Sequence, residues 1–131
     1  MSASWVTAAI EGASREVTIR FGAGHALMAC QPDDERKGAR APAPFDLLLA
    51  GLGACTAITL KQYAAARNWS LEVLEVDLEI VSWRSSTSVT RLLSFEGDLD
   101  SNQREELLAV ADKTPVTLLL THALRIRTEL A

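Results

Sequence analysis

The sequence predicts an α+β fold in a single domain over residues 1–131, with the element order βββ-α-ββ-αα-β. The predicted strands fall in groups rather than alternating with helices, which favours a mainly antiparallel sheet. One apolar run, Leu47 to Leu60, is too long for a strand and is typical of a core helix. The length of 131 residues and the hydrophobic share of 48% suit one core.

Three strands are predicted before this apolar run. Glu16 to Phe21 alternates apolar and polar residues, which is the pattern of a strand with one solvent-facing side. Trp5 to Ile10 and His25 to Cys30 flank it, and turns that contain glycine separate the three segments. The prediction is an antiparallel meander.

A charged segment, Gln31 to Ala43, follows the meander. It contains Pro32, Gly38 and Pro42 together with six charged residues. A loop of this size in a compact domain is either functional or mobile, and the sequence leaves both readings open.

A long helix is predicted from Pro44 to about Arg67. Pro44 suits its first turn, because the N–H that proline lacks would have no helical partner there. The run Leu47 to Leu60 is apolar nearly all round, and such a helix must be buried on every side. Because so small a domain can hardly surround it alone, we expect a second subunit to cover part of it. Small residues such as Gly51 and Gly53 would let another backbone approach closely.

Two strands are predicted after the long helix. Leu71 to Trp83 alternates apolar and acidic residues, and Val89 to Leu99 is expected to pair with it across a serine-rich turn.

Two helices and a last strand complete the prediction. Asp100 or Ser101 caps the first helix, and Thr114 caps a short second helix that begins at Pro115. Apolar residues then alternate with charged ones along the final segment, which predicts a strand; its inner face would carry Leu124, Ile126, Thr128 and Leu130.

Composition excludes several classes of function. The net charge of −4 and pI of about 5.1 leave no basic surface for nucleic acid. The N-terminus lacks the pattern of a signal peptide, and the apolar run is shorter than the ~20 residues of a membrane span. The 2 cysteines are too few for a disulfide-stabilised secreted domain. We therefore expect a cytoplasmic protein that binds neither nucleic acid nor membrane.

Two stretches resemble the OsmC/Ohr family, and its general OsmC-like branch most of all. The first runs from Ala43 to Leu60 and includes Gly53-Ala54-Cys55-Thr56-Ala57, and the second is Ala111 to Val116. The resemblance implies an intertwined homodimer with two long central helices inside wrapped sheets. It also implies reduction of organic hydroperoxides by a helix cysteine, regeneration by a thiol or dithiol reductant, and no metal or bound cofactor.

Cys55 matches the attacking cysteine of the family, whose thiolate becomes a sulfenic acid. The family's second, resolving cysteine corresponds to Thr114, which cannot form a disulfide. Two repairs are open: an external thiol resolves Cys55, or Cys30 reaches it within the chain or across the dimer.

The resemblance also implies an arginine that favours the thiolate and orients the peroxide, held by a carboxylate. Arg36 and Arg40 in the charged segment are candidates, as is Arg20 on the second strand. Asp46 matches the acidic residue of the general branch; it either holds an arginine or interacts with the helix dipole, and we favour the dipole.

Three hypotheses follow. The first is a thiol-dependent peroxidase that acts through Cys55 on organic hydroperoxides and is resolved by an external thiol. The second is a catalytically impaired relative that binds a small apolar ligand at the dimer interface, and the third is a purely structural dimer. The replacement at Thr114 favours the second and third.

Overall fold

The computed structural model describes residues 4–31 and 41–131 of the chain. It contains antiparallel strands and one long helix, so the predicted α+β class is confirmed. In chain order the elements are β1 Val6–Ala9, β2 Glu16–Phe21, β3 Ala26–Cys30, α1 Pro44–Ala66, β4 Val73–Trp83, β5 Ser86–Glu96, α2 Ser101–Ala111 and α3 Pro115–Thr121.

The chain divides into two compact units, Met1–Leu48 and Leu49–Ala131. In the first unit, β1, β2 and β3 form the predicted antiparallel meander, with Ile19 paired to Ala8 on one side and Leu27 on the other. The Cys30 N–H donates to the Pro42 carbonyl at 3.1 Å, which holds the chain near the start of α1.

In the second unit, β4 and β5 pair along their whole length in a two-stranded antiparallel sheet, from Val73 opposite Glu96 to Trp83 opposite Ser86. Alternate residues of β4 are partly buried, as its period of two predicts. The core of this unit consists of Leu60, Ala64, Leu71, Leu99, Leu107 and Ala111. Apolar residues of α1 and α2 thus meet those just before β4 and just after β5 in one cluster.

Helix α2 begins with a capping box. The Gln103 N–H donates to the Asp100 carboxylate at 2.8 Å, and the Asp100 N–H donates to the Gln103 amide oxygen at 2.9 Å. Of the two residues proposed as the cap, Asp100 is therefore the one used. Helix α1 contacts α2 through Tyr63, whose phenol donates to Glu106 at 2.7 Å, and this hydrogen bond raises the pKa of Tyr63.

Gly97 lets the segment that follows β5 pass close to the segment that precedes β4. Its φ of 142° lies in the region that favours glycine, and a Cβ there would fall 1.8 Å from the Ser70 carbonyl oxygen. This close approach lets the Glu72 N–H donate to the Glu96 carbonyl at 2.8 Å.

Helix α1 is not buried all round in the single chain. Leu52, Thr56, Leu60 and Ala64 form its buried face. In contrast, Leu48 is 41% exposed and Ile58 is 58% exposed. By length and composition alone its 23 residues could cross a membrane, a test that core helices of soluble proteins also pass. The apolar run is therefore only partly covered by its own chain.

The predicted last strand is not formed. Residues 123–131 have neither helical nor strand structure, and Leu124, Ile126 and Leu130 are 58%, 81% and 100% exposed. A strand needs a neighbouring backbone to accept its hydrogen bonds, and this segment has none in the described chain. The alternating pattern predicted an extended conformation but could not supply that neighbour.

Candidate active site

Cys55 lies in the middle of α1 and is partly exposed. Its Sγ is 4.0 Å from the hydroxyl of Thr59, one helical turn later. A sulfur at this distance is only weakly held, so a reagent can approach it without displacing a strong hydrogen bond.

Thr56, the next residue, points to the interior of the second unit. Its side chain is fully buried, and its hydroxyl donates to the Leu52 carbonyl at 2.7 Å. The same hydroxyl accepts from Arg91 Nη1 at 3.1 Å. Cys55 is thus partly exposed, whereas the next residue, Thr56, belongs to a buried polar network.

The centre of this network is the guanidinium of Arg91, whose side chain is only 13% exposed. Nη1 also donates to the Thr117 hydroxyl at 2.8 Å, and Nη2 donates to the Ala111 carbonyl at 2.7 Å and to Asp112 Oδ1 at 3.4 Å. Ala111 ends α2, so its carbonyl lacks a helical partner and lies at the negative end of the helix dipole. Three of the four acceptors are therefore neutral, and the single anion is the most distant.

Thr114 and Thr117 extend the network into α3. Their hydroxyl oxygens are 2.6 Å apart, and the Thr117 hydroxyl donates to the Ala111 carbonyl at 3.2 Å. Because Thr117 has one proton to give, Thr114 is the donor within the pair, and Thr117 accepts from both Thr114 and Arg91. Within the part of the chain that the structure describes, every buried side-chain nitrogen or oxygen has a partner.

Thr114 stands at the N-cap of α3 as predicted, with Pro115 at the first helical position. Its side chain does not cap the helix, however, since its hydroxyl bonds that of Thr117 instead of a backbone N–H. The predicted capping hydrogen bond is therefore wrong. The Thr114 side chain is instead turned toward the buried Thr117 hydroxyl, to which it donates.

Asp46 interacts with the N-terminus of α1. Its Oδ2 accepts the Ala43 N–H at 2.9 Å, which satisfies a donor at the start of the helix. The other role considered for Asp46, holding an arginine, stays a prediction, because Arg36 and Arg40 lie outside the described residues.

The other predicted site residues lie in the first unit. Cys30 is partly buried, and its thiol donates to the Ala41 carbonyl at 3.2 Å. Arg20 is exposed on β2. Arg36 and Arg40 lie outside the described residues. Over residues 4–31 and 41–131, no group of three or more histidine, cysteine or acidic side chains is arranged to hold a metal ion.

Arg91 was not among the predicted arginines. Its position in the strand could have indicated it. Arg91, Leu93 and Phe95 are alternate residues of β5 on its partly buried face, whereas the residues between them are exposed. A cation at an apolar position of a period-two pattern indicates a buried, hydrogen-bonded charge.

These features define a small α+β protein whose long helix carries a partly exposed cysteine beside a buried network of arginine and threonine. The sequence matches the family described as OsmC-like protein over residues 35–129, and the chain belongs to this family. No curated protein matches the chain.

Solved structures share the fold. The OsmC-like protein of Mycoplasma pneumoniae has a TM-score of 0.75 at 17% identity, covering 92% of this chain and 88% of that one. The organic hydroperoxide resistance protein OsmC of Legionella pneumophila has a TM-score of 0.67 at 20% identity, with 92% and 90% covered. For the organic hydroperoxide resistance protein OhrB of Bacillus subtilis the TM-score is 0.65 and the identity 22%, with 90% of each chain covered.

The network predicts unequal effects for two threonines of α3. Thr117→Val keeps the shape of the side chain but leaves the Thr114 hydroxyl and one N–H of Arg91 Nη1 without a buried acceptor. The guanidinium keeps its bonds to Thr56 and Ala111, so the change should lower the free energy of unfolding by about 1–3 kcal/mol. Thr121→Val is the control: Thr121 is exposed and donates only to backbone carbonyls of its own helix, so the change should stay within about 0.5 kcal/mol. Urea unfolding measures both, and equal losses would contradict the assigned network.

Proposed function

We propose that this OsmC-like protein is a thiol-dependent peroxidase that reduces organic hydroperoxides through Cys55. The observation that carries the proposal is the position of Cys55: it is the cysteine of the family motif, and it is partly exposed on α1. Two proteins of the same fold are named organic hydroperoxide resistance proteins, which supports the choice of substrate class.

The proposed reaction begins with attack of the Cys55 thiolate on the terminal oxygen of the hydroperoxide. The S–O bond forms as the O–O bond breaks, and the alkoxide leaves with a proton as an alcohol. Cys55 is oxidised to a sulfenic acid while the peroxide is reduced.

The sulfenic acid is resolved by an external thiol in this proposal. That thiol displaces water to form a mixed disulfide with Cys55, and a second thiol then releases the reduced enzyme as a new disulfide forms. Thr114 cannot serve as resolver, since its hydroxyl forms no disulfide and is buried against Thr117. Resolution by Cys30 remains the alternative, and it requires the Cys30 thiol to leave the Ala41 carbonyl.

Activation of the thiol falls to an arginine in this proposal. Arg36 and Arg40 remain the candidates from the sequence. Arg91 acts differently: its donors are committed to Thr56, Thr117 and the end of α2, so it fixes the helix turn that carries Cys55.

A second candidate function is binding of a small apolar ligand without catalysis. The buried Thr114 hydroxyl favours it, because the position of the family's resolving cysteine is here a purely structural one.

Trapping distinguishes the two functions. Treatment with cumene hydroperoxide and dimedone should give one adduct on Cys55, located by mass spectrometry, because the accessible thiol forms a sulfenic acid. The adduct should be absent in Cys55→Ser and retained in Cys30→Ser. If the wild-type protein gives no adduct on Cys55, the peroxidase proposal fails and ligand binding or a structural role is favoured.

Restoring a cysteine at the family's second position should change the product. In Thr114→Cys, one equivalent of cumene hydroperoxide should yield a disulfide between Cys55 and the introduced thiol, detected as the loss of two hydrogens and of dimedone labelling. Thr121→Cys is the control, because Thr121 is exposed at the end of α3, away from the motif position, and the variant should still be labelled. A labelled, disulfide-free Thr114→Cys would contradict this part of the proposal.

We further propose that the protein is a homodimer in which a partner covers the exposed side of α1. Gly51, Ala54 and Ile58 are exposed at intervals of three and four residues, so they lie on one face of this helix, and Ile58 is 58% exposed. Apolar residues grouped on one exposed face are typical of an interface.

Gel filtration with light scattering should give twice the chain mass of 14.2 kDa. Ile58→Lys should produce monomers, because it places a charge at the buried interface. Leu92→Lys should stay dimeric, since Leu92 is slightly more exposed than Ile58, at 63% against 58%, but lies opposite Asp77 on the charged face of the β4–β5 sheet. A monomeric wild-type protein would disprove the dimer.

A further inference from the structure

The second unit contains a cavity of about 350 Å³ that the proposed peroxidase function does not use. Its walls combine apolar residues with the Arg91 guanidinium and two hydroxyls; the lining is Leu52, Val89, Arg91, Leu93, Leu108, Ala111, Asp112, Thr117 and Thr121. Cys55 is not part of this lining. The volume lies in the range of small-molecule sites, about 300–1,000 Å³.

The exposure of the lining residues increases from the base of the cavity to its opening. Leu52 at its base is 6% exposed, whereas Val89 and Leu108 are 39% and 56% exposed and flank the opening. A molecule with a short apolar chain would therefore remove these side chains from water, which is favourable in proportion to the area covered.

The charge at this cavity is incompletely neutralised. Arg91 is 13% exposed, and its single anionic partner, Asp112, is 81% exposed and 3.4 Å away. An ion pair with so exposed a carboxylate contributes little, because water competes for it. The guanidinium can therefore exchange Asp112 for a carboxylate that enters the cavity, while its bonds to Thr56, Thr117 and Ala111 hold it in place.

We propose that this cavity is a binding site for a small monocarboxylate with a short apolar chain. The carboxylate accepts from Arg91 Nη2 in place of Asp112, and the chain lies against Leu52, Leu93 and Leu108. The positive charge selects a carboxylate over a neutral amide of the same shape, because a charge-assisted hydrogen bond is about twice as strong as a neutral one. The proposal is independent of the peroxidase function, because neither Cys55 nor a peroxide takes part.

Calorimetric titration of the intact protein with hexanoate tests the site, with hexanamide as the uncharged probe and inorganic phosphate as an anion without an apolar chain. Hexanoate should bind roughly 10- to 100-fold more tightly than hexanamide, as expected for charge-assisted hydrogen bonds. Phosphate should bind more weakly than hexanoate. Equal affinities for hexanoate and hexanamide, or no binding of hexanoate, would overturn the proposal.

Asp112→Asn provides a test that does not disturb the core, because this side chain is exposed. Removal of the competing anion should tighten hexanoate binding roughly two- to fivefold and leave hexanamide binding unchanged. Unchanged or weaker hexanoate binding would contradict the exchange of carboxylates.

Arg91→Met should abolish the preference for hexanoate. Arg104→Met is the matched control, since Arg104 is also partly buried but donates to the carbonyls of Leu99 and Phe95, away from the cavity lining. It should retain the preference. Circular dichroism verifies that each variant is folded. Arg91→Lys keeps the charge but loses the planar guanidinium, so it should bind hexanoate with intermediate affinity. Loss of the preference in Arg104→Met alone would overturn the assignment.

Discussion

The packing of the second unit depends on one largely buried positive charge. The guanidinium of Arg91 joins β5 to α1 through Thr56, to the end of α2 through Ala111, and to α3 through Thr117. A buried cation without hydrogen-bond acceptors would be strongly destabilising, so these elements must adopt positions that present oxygen atoms to it. The constraint explains why threonines rather than aliphatic residues occupy the buried positions 56, 114 and 117.

This arrangement also places the thiol. The buried face of α1 is fixed by Leu52, Thr56 and Leu60, and Thr56 is bonded to Arg91. The residue before Thr56 must then lie on an adjoining face of the helix, where Cys55 is partly exposed. A rigid polar interior and an accessible sulfur are thus consequences of the same helical register.

Local signals in the sequence were sufficient for most of the elements. Period-two alternation located β2 and β4, proline at position 44 marked the first residue of α1, and Asp100 was one of two residues expected to cap α2. Each of these features depends on residues a few positions apart. The prediction that Cys55 is the reactive residue likewise depends on a contiguous motif.

Features that depend on distant parts of the chain were not predictable. Arg91 meets oxygen atoms 20, 26 and 35 residues away, and no local pattern gives those distances. Thr114 was expected to cap α3, but its side chain is turned toward the buried hydroxyl of Thr117. The final segment alternates like a strand, but a strand forms only where a neighbouring backbone pairs with it. The pattern of one segment does not show whether such a neighbour is present.

Gly97 has a consequence for the diversity that this chain can tolerate. Any side chain at this position would overlap the Ser70 carbonyl. Only glycine, which has no Cβ, therefore fits where the two chain segments cross. A library that randomises the whole sequence would recover glycine at position 97 among its folded members. The tip of the β4–β5 hairpin, where Arg84 and Ser85 are exposed, is the better place for an inserted tag or epitope. The φ of 56° at Arg84 favours glycine or asparagine there over β-branched residues.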